Sequence, residues 1–158
     1  MRYRAFLSYS HRDRKAAGRL HRALEGYRPP KPVLQAKGLP ENLRLAPIFR
    51  DRDELPSSHD LSQVILDALA ESDALVVVCS PHAAESQWVN EEIRSYRGLG
   101  RGHRIYCYII DGEPGSQSGD QCFPPALLEP EQGAADVPEP VAADARRHGD
   151  GRRFAMLN

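Results

Sequence analysis

The chain lacks the residue patterns of several common classes of protein. Only three of its 21 basic residues are lysines, its three cysteines form no Cys-x-x-Cys pair, and no apolar run approaches the ~18 residues of a membrane span. The odd number of cysteines argues against a disulfide framework or a zinc site and indicates reduced thiols in a reducing compartment. The N-terminus enters a strand pattern at once and has no signal-peptide core. We therefore expect a cytoplasmic protein.

The motifs of phosphate loops, metal sites and serine hydrolases are also missing. The first strand pattern is followed by SYSHR at residues 8–12, which has no glycine, so neither a dinucleotide-binding fingerprint nor a P-loop applies. The six histidines do not have the spacing of a metal site, and Ser80-Pro81-His82 is not a nucleophile elbow. A net charge of −1 gives no indication of nucleic acid or an anionic membrane as a partner.

What the chain does contain is an alternation of strand and helix patterns. Its 158 residues, 41% of them hydrophobic and 27% charged, fit one globular domain. Short apolar runs without helical period predict strands at residues 4–9, 45–49, 74–79 and 104–110. Apolar stripes at helical spacing predict helices that begin at Asp13, Asp60 and Ser86. The alternation predicts an α/β fold, with a parallel sheet covered by helices on both faces.

The remaining segments carry weaker patterns. Residues 28–44 are expected to form a long polar loop, because prolines follow the first helix. The second helix is expected to bury one stripe of apolar side chains: Leu61, Val64, Ile65, Ala68 and Leu69. Residues 139–144 predict a fifth short strand, and residues 152–158 predict the start of a helix. Because the chain stops one turn into that pattern, we expect the natural protein to continue beyond Asn158.

Candidate chemistry is concentrated at one edge of the predicted sheet. Ligands of parallel sheets bind beyond the carboxyl ends of the strands, and three polar segments leave those ends, at residues 8–13, 50–59 and 80–88. The helix that begins at Ser86 places Trp88 and Glu92 one turn apart. An indole beside a carboxylate at this edge is a candidate reaction centre. The alternatives are an ordinary surface glutamate and a tryptophan that anchors the helix in the core.

Two charged stretches have a functional and an ordinary interpretation. Residues 50–54 hold two arginines and three acids at the end of a strand, where they could bind a ribose and a pyrophosphate or simply form a solvated loop. The first helix and its lead-in carry four arginines: Arg12, Arg14, Arg19 and Arg22. These indicate a solvated helix face or a surface that docks an acidic partner.

Three collinear stretches resemble the Toll/interleukin-1 receptor (TIR) domain family. RAFLSYS at residues 4–10 resembles the family's first conserved box, and IFRDRDEL at residues 48–55 resembles its second strand and the following BB loop. Ser80-Pro81, then Ser86-x-Trp88-Val89-x-x-Glu92, resembles a third signature. The match covers residues 1 to about 112, so residues 1–158 are interpreted as a single TIR domain. The resemblance implies a flavodoxin-like, five-stranded parallel sheet.

The resemblance also implies an activity and a set of site residues. Many bacterial, plant and some animal TIR domains cleave NAD between nicotinamide and ribose, and the last residue of their W-x-x-x-E motif, here Glu92, is catalytic. The nucleotide contacts carried over by position are Ser10, His11, Arg50, Asp51, Leu55 and Ser58. Trp88 then packs against the ribose or the nicotinamide. NAD is a substrate in this interpretation, and no cofactor or metal is expected.

A single carboxylate suffices for this reaction. Ordinary glycoside hydrolysis uses two, because the leaving alkoxide must be protonated. Nicotinamide leaves NAD as a neutral pyridine, so only the oxocarbenium-like ribose needs stabilisation, which one carboxylate can provide.

Two functions from different classes remain open. The first is an NAD hydrolase or cyclase in bacterial immune or antiphage signalling that acts when TIR domains assemble through residues 50–59. The second is a non-catalytic module that assembles with other TIR domains. A response-regulator-like receiver shares the fold class, but it needs an acidic cluster after the first strand that this chain does not have. We expect neither nucleic acid nor a membrane as a partner.

Overall fold

The protein contains a five-stranded, entirely parallel sheet. The structure, a computed structural model, describes residues 1–50, 61–131, 133–137 and 139–149. The strands are β1 (Ala5–Ser8), β2 (Ile48–Arg50), β3 (Leu75–Cys79), β4 (Ile105–Ile109) and β5 (Val141–Asp144). They are ordered β2-β1-β3-β4-β5, so the direction of winding reverses between β1 and β3. In open α/β sheets, such a switch point at the carboxyl edge is where ligands bind.

Helices cover both faces of the sheet, as the alternation predicts. They are α1 (Arg14–Gly26), α2 (Lys31–Ala36), α3 (Gln63–Ala70), α4 (Pro81–Glu85) and α5 (Gln87–Gly98). Short 3₁₀ turns span His11–Asp13, Gly102–Arg104 and Pro125–Leu127. The fold class and the five-stranded parallel sheet are therefore as predicted from the sequence.

The two faces form two separate apolar cores, because successive residues of a strand point to opposite sides. We call the side packed by α3 and α5 the α5 layer; it contains Phe6, Val77 and Ile93. We call the other side the α1 layer; it contains Leu7 and Leu20. Each large side chain buried in these layers contributes about 1.5–3 kcal/mol relative to its exposed state.

The predicted long loop at residues 28–44 is wrong in part, because α2 lies within it. Pro32 occupies the first turn of this helix, where a missing N–H removes no intrahelical hydrogen bond. Leu34 is only 1% exposed and anchors the helix to the protein. The proline-rich stretch that follows α1 therefore also contains the start of α2.

The second predicted helix begins later than expected and buries a different set of side chains. It starts at Gln63, after Ser62, whose Oγ accepts a hydrogen bond from the backbone N–H of Ile65. The predicted cap Asp60 lies outside the described residues. Ile65, Ala68 and Leu69 are buried as predicted, but Val64 is 68% exposed. Fewer apolar side chains of this short helix are buried against the sheet than the sequence predicts.

The predicted fifth strand is confirmed as β5, and the helix predicted at residues 152–158 lies outside the described residues. No helix in the described part of the chain has the length and apolar character needed to cross a membrane.

Arg146 ties the end of β5 to the loop that follows β4. Its Nε and Nη2 donate to the two carboxylate oxygens of Asp144, at 2.8 and 2.7 Å. Its Nη1 donates to the carbonyl of Gly112 and to Glu113, at 2.8 and 2.9 Å. The hydrogen bonds and positive charge of Arg146 hold the pKa of Asp144 below its ordinary value.

We expect Asp144→Asn to lower the free energy of unfolding by about 1–2 kcal/mol at neutral pH. Because the folded protein lowers the pKa of Asp144, this stabilisation is complete above the unfolded pKa of ~3.9 and is lost as the pH falls towards the folded pKa. Urea unfolding of both proteins at pH 7 and pH 3 measures the difference. Asp136→Asn, at an exposed position, is the control. A difference that does not shrink at low pH would contradict the prediction.

Candidate active site

Helix α5 begins at the carboxyl edge of the sheet. Its N-cap is Ser86, as predicted, and the Ser86 Oγ accepts a hydrogen bond from the N–H of Val89 at 3.3 Å. The helix follows β3 and α4, and its far end packs against the 3₁₀ turn that leads into β4. It therefore runs from the carboxyl edge to the amino edge, and Glu92, in its second turn, lies near the carboxyl edge.

Glu92 is buried, with 7% of its surface exposed. It lies on a helix whose Val89, Ile93 and Tyr96 are fully buried in the α5 layer. Glutamates are almost never buried unless they are paired or functional, because removing a charge from water is costly. A carboxylate in such surroundings interacts more strongly with a nearby positive charge than it would in water.

Glu92 and its neighbour Glu91 have different environments in the structure. The Glu91 side chain is 42% exposed, and its Oε1 accepts a hydrogen bond from Arg94 at 3.0 Å. Such a pair on an exposed helix surface is an ordinary i, i+3 contact of small energetic value. Glu91 therefore has the environment of a surface residue, whereas Glu92 does not.

Trp88 precedes Glu92 by one turn and is partly exposed. Residues four apart on a helix lie on the same side, so the indole and the carboxylate belong to the same end of α5. The accessible part of the ring can contact a ligand at this edge. That the indole and the carboxylate form one reaction centre stays a prediction.

Asn90 fixes the start of α5 to the rest of the protein. Its Nδ2 donates to the carbonyls of Ser86 and Ala84, at 2.9 and 3.3 Å. Its Oδ1 accepts from the N–H of Ala126 at 2.9 Å, in the 3₁₀ turn 36 residues further along the chain. Sequence reasoning missed this residue, because its partners are backbone groups that no local pattern reveals.

Ser80, which the sequence identifies only as part of the third signature, joins the loops that follow β1 and β3. Its Oγ accepts from the N–H of Ala83 at 3.0 Å, which caps α4, and its hydroxyl donates to the carboxylate of Asp13. Asp13 is the N-cap residue of α1, as predicted, but its side chain makes no cap hydrogen bond. Serine followed by Pro81 is a helix-start signal that could have identified α4.

Ser8 places a buried hydroxyl at the carboxyl end of β1. It is 1% exposed, and its Oγ has no hydrogen-bond partner among the described residues. Ser8 follows Phe6 by two positions, so its side chain points into the α5 layer, the same side of the sheet as Glu92. A buried polar group without a partner is costly, so this hydroxyl lowers the stability of the fold at the end of β1.

The residues predicted in the loop after β1 have different environments. Ser10 is 6% exposed, and its Oγ accepts from the N–H of Arg12 at 3.4 Å, which caps the 3₁₀ turn. His11 is exposed to solvent. Both residues lie at the carboxyl edge beside the switch point, where the sequence places them.

The residues predicted in the second polar segment are only partly described. Arg50 ends β2, and alternation along this strand sends its side chain into the α1 layer together with Ile48. The guanidinium lies against Gly18 of α1. It therefore sits on the side of the sheet opposite Glu92. Asp51, Leu55 and Ser58 lie outside the described residues.

The cysteines do not supply a second reactive group. Cys79, Cys107 and Cys122 are buried free thiols. Burial raises the pKa of Cys122 to about 11 and raises that of Cys79 well above its ordinary value. Thiols of this kind are inert at neutral pH, because the thiolate is the nucleophile. Across the described ranges, no group of three or more His, Cys, Asp or Glu side chains is arranged to hold a metal ion.

Comparison with known proteins identifies similar chains. The model of the TIR domain family matches residues 5–123. The NAD(+) hydrolase ApTIR of Actinoplanes sp. is 35% identical over 119 residues, which cover 72% of this chain and 15% of that protein. The TIR domains of the activated Roq1 resistosome, which directly recognises the pathogen effector XopQ, match with a TM-score of 0.50 and 27% identity. That match covers 71% of this chain and 60% of the other.

Proposed function

The chain belongs to the TIR domain family, and from that membership we propose that it cleaves the nicotinamide–ribose bond of NAD, as a hydrolase or a cyclase. Glu92 is the proposed catalytic carboxylate. The observation that carries the proposal is the burial of Glu92, at 7% exposure, on the helix that begins at the carboxyl edge of the sheet. The similarity to ApTIR, named an NAD(+) hydrolase, supports it.

In this reaction the protein needs to stabilise the positive charge on the ribose and to position the attacking group. The bond between the ribose C1′ and the nicotinamide nitrogen breaks, and its electron pair leaves with neutral nicotinamide. Positive charge develops on the ribose, where the Glu92 carboxylate stabilises it in a poorly solvated environment. Water, or a hydroxyl of the adenosine part, then attacks C1′ and loses its proton to Glu92. Water yields linear ADP-ribose, and an internal nucleophile yields a cyclic product.

The neighbouring residues are assigned to binding. Trp88 packs against the ribose or the nicotinamide. Ser10 and His11 contact the nucleotide from the loop after β1. The contacts that the resemblance implies from the second polar segment are Arg50, Asp51, Leu55 and Ser58. Because the Arg50 side chain lies in the α1 layer, it can contact only a part of the dinucleotide that extends to that side of the sheet.

The proposed activity is tested by incubating the purified protein with NAD and separating the products by chromatography. We expect nicotinamide together with linear or cyclic ADP-ribose. If assembled protein releases no nicotinamide, the remaining function is the interaction module that binds other TIR domains. The reduced thiols and the NAD substrate fit an activity in the bacterial cytoplasm, in immune or antiphage signalling.

We expect the activity to depend on self-association through residues 50–59. The TIR domains of Roq1 belong to a resistosome, which supports assembly as a property of this chain too. When an active dimer forms from mostly monomeric protein, the rate per protomer rises in proportion to protein concentration, so ~10-fold more protein gives ~10-fold more turnover per molecule. Initial rates over a dilution series, with light scattering at the same concentrations, measure this. A rate per protomer that is independent of concentration would contradict it.

A further inference from the structure

The geometry points to a second anion-binding site, on the opposite side of the sheet from Glu92, that takes a small phosphate-bearing ligand such as a di- or triphosphate. The site is an open cavity of about 520 Å³ between α1 and the end of β2. We call it the basic groove. Its charged lining residues are Arg14, Lys15, Arg19, Arg22 and Arg50.

The groove concentrates positive charge in a protein whose net charge is −1. Lys15, Arg19 and Arg22 follow one another along α1 at intervals of four and three residues, so they fall on one side of the helix. In the described part of the chain, no carboxylate lies within ion-pair distance of any of the five cations. Like charges held together without a partner favour the binding of an anion.

Arg50 distinguishes the groove from a row of exposed cations on one helix, because it comes from β2 and not from α1. Its Nε is buried and has no hydrogen-bond partner within the described ranges. Nε itself is closed to solvent, so an anion reaches Arg50 through the part of the side chain that lines the groove, and no described acceptor already holds Nε in place. Arginine presents its donors in a planar fork that matches the oxygens of a phosphate.

The backbone of α1 makes room for this guanidinium. A Cβ added to Gly18 would lie 2.7 Å from Nη1 of Arg50, closer than real Cβ contacts allow. Glycine in the middle of a helix is less stable than alanine, so the sequence tolerates a poor helix former at the point where Arg50 approaches. A methyl group at position 18 would therefore displace the end of the Arg50 side chain from its place against α1.

The proposal is tested by titrating the full chain with inorganic pyrophosphate, followed by calorimetry or NMR, with chloride present to compete weakly. We expect saturable binding that weakens as salt is raised. Arg50→Gln and Gly18→Ala should each weaken the binding about tenfold, because each removes or displaces one charge-assisted fork.

Two matched variants control for charge and for helix propensity. Arg44→Gln makes the same charge change at an exposed position before β2, and Gly26→Ala makes the same glycine change at the end of α1, where nothing lies within 4 Å. Both should bind pyrophosphate like the unmodified protein. Absence of binding, or equal losses in the controls and the groove variants, would overturn the proposal.

A second titration identifies the source of the phosphate. Pyrophosphate is titrated into Glu92→Gln protein with and without NAD, so that the substrate is not consumed. If the affinity for pyrophosphate is unchanged by NAD, the groove is a separate site for another phosphate compound, as proposed. If NAD competes, the groove belongs to the substrate site, and the proposal of a second site is overturned. Neither titration requires turnover, so the groove can be tested even if the proposed NAD cleavage fails.

Discussion

Glu92→Gln is expected to lower the rate of nicotinamide release from NAD on the order of 100- to 1000-fold. Glutamine preserves the size of the side chain and its hydrogen-bonding oxygen but removes the negative charge that stabilises the developing oxocarbenium ion. It also removes the base that accepts a proton from the attacking water. Because both roles depend on charge, the loss should appear in kcat more than in KM.

The matched control is Glu91→Gln, on the same helix turn. Glu91 is exposed and paired with Arg94, so this change should leave the rate within about twofold and the stability nearly unchanged. Chromatography at a protein concentration that permits assembly measures both variants. Equal activity losses in the two variants would exclude a specific role for Glu92.

Asn90→Ala is expected to lower the free energy of unfolding by about 3 kcal/mol, which corresponds to a melting temperature about 6–12 °C lower. The change removes three hydrogen bonds and leaves the buried N–H of Ala126 without its acceptor. Two carbonyls near the start of α5 lose their side-chain donor at the same time.

Urea and thermal unfolding measure the effect of Asn90→Ala. The control is Asn42→Ala, at an exposed position before β2, which should change the free energy of unfolding by less than about 0.5 kcal/mol. A loss below about 1 kcal/mol for Asn90→Ala would show that the three hydrogen bonds do not tie α5 to the protein. Wild-type NAD cleavage in a strongly destabilised variant, measured below its melting temperature, would separate folding from catalysis.

Much of the fold follows from local patterns in the sequence. The strands are short apolar runs, and the start of α5 is identified by Ser86 alone, because an N-cap acts on the first turn that follows it. The prediction of a parallel sheet needs only the alternation of strands and helices. The position of Glu92 near the carboxyl edge follows from the same two patterns.

The features that sequence reasoning missed depend on distant partners. Asp13 has the sequence context of a helix cap, but the hydroxyl of Ser80, 67 residues away, binds its carboxylate instead. Asn90 is an ordinary polar helix residue until the turn at Ala126 packs beside it. Arg50 belongs to a charged loop in the sequence, yet strand alternation turns it towards α1. Each of these outcomes is decided by tertiary packing, which local propensity does not encode.

The burial of α5 makes the helix that carries Glu92 resistant to local unfolding. The residues beside Glu92, namely Val89, Ile93 and Tyr96, are fully buried, and the Tyr96 hydroxyl donates to the carbonyl of Ser72 at 3.2 Å. Local openings are easiest where few apolar contacts must break. We therefore expect the helix that carries Glu92 to be among the last segments to open, so that the carboxylate keeps its position during local fluctuations.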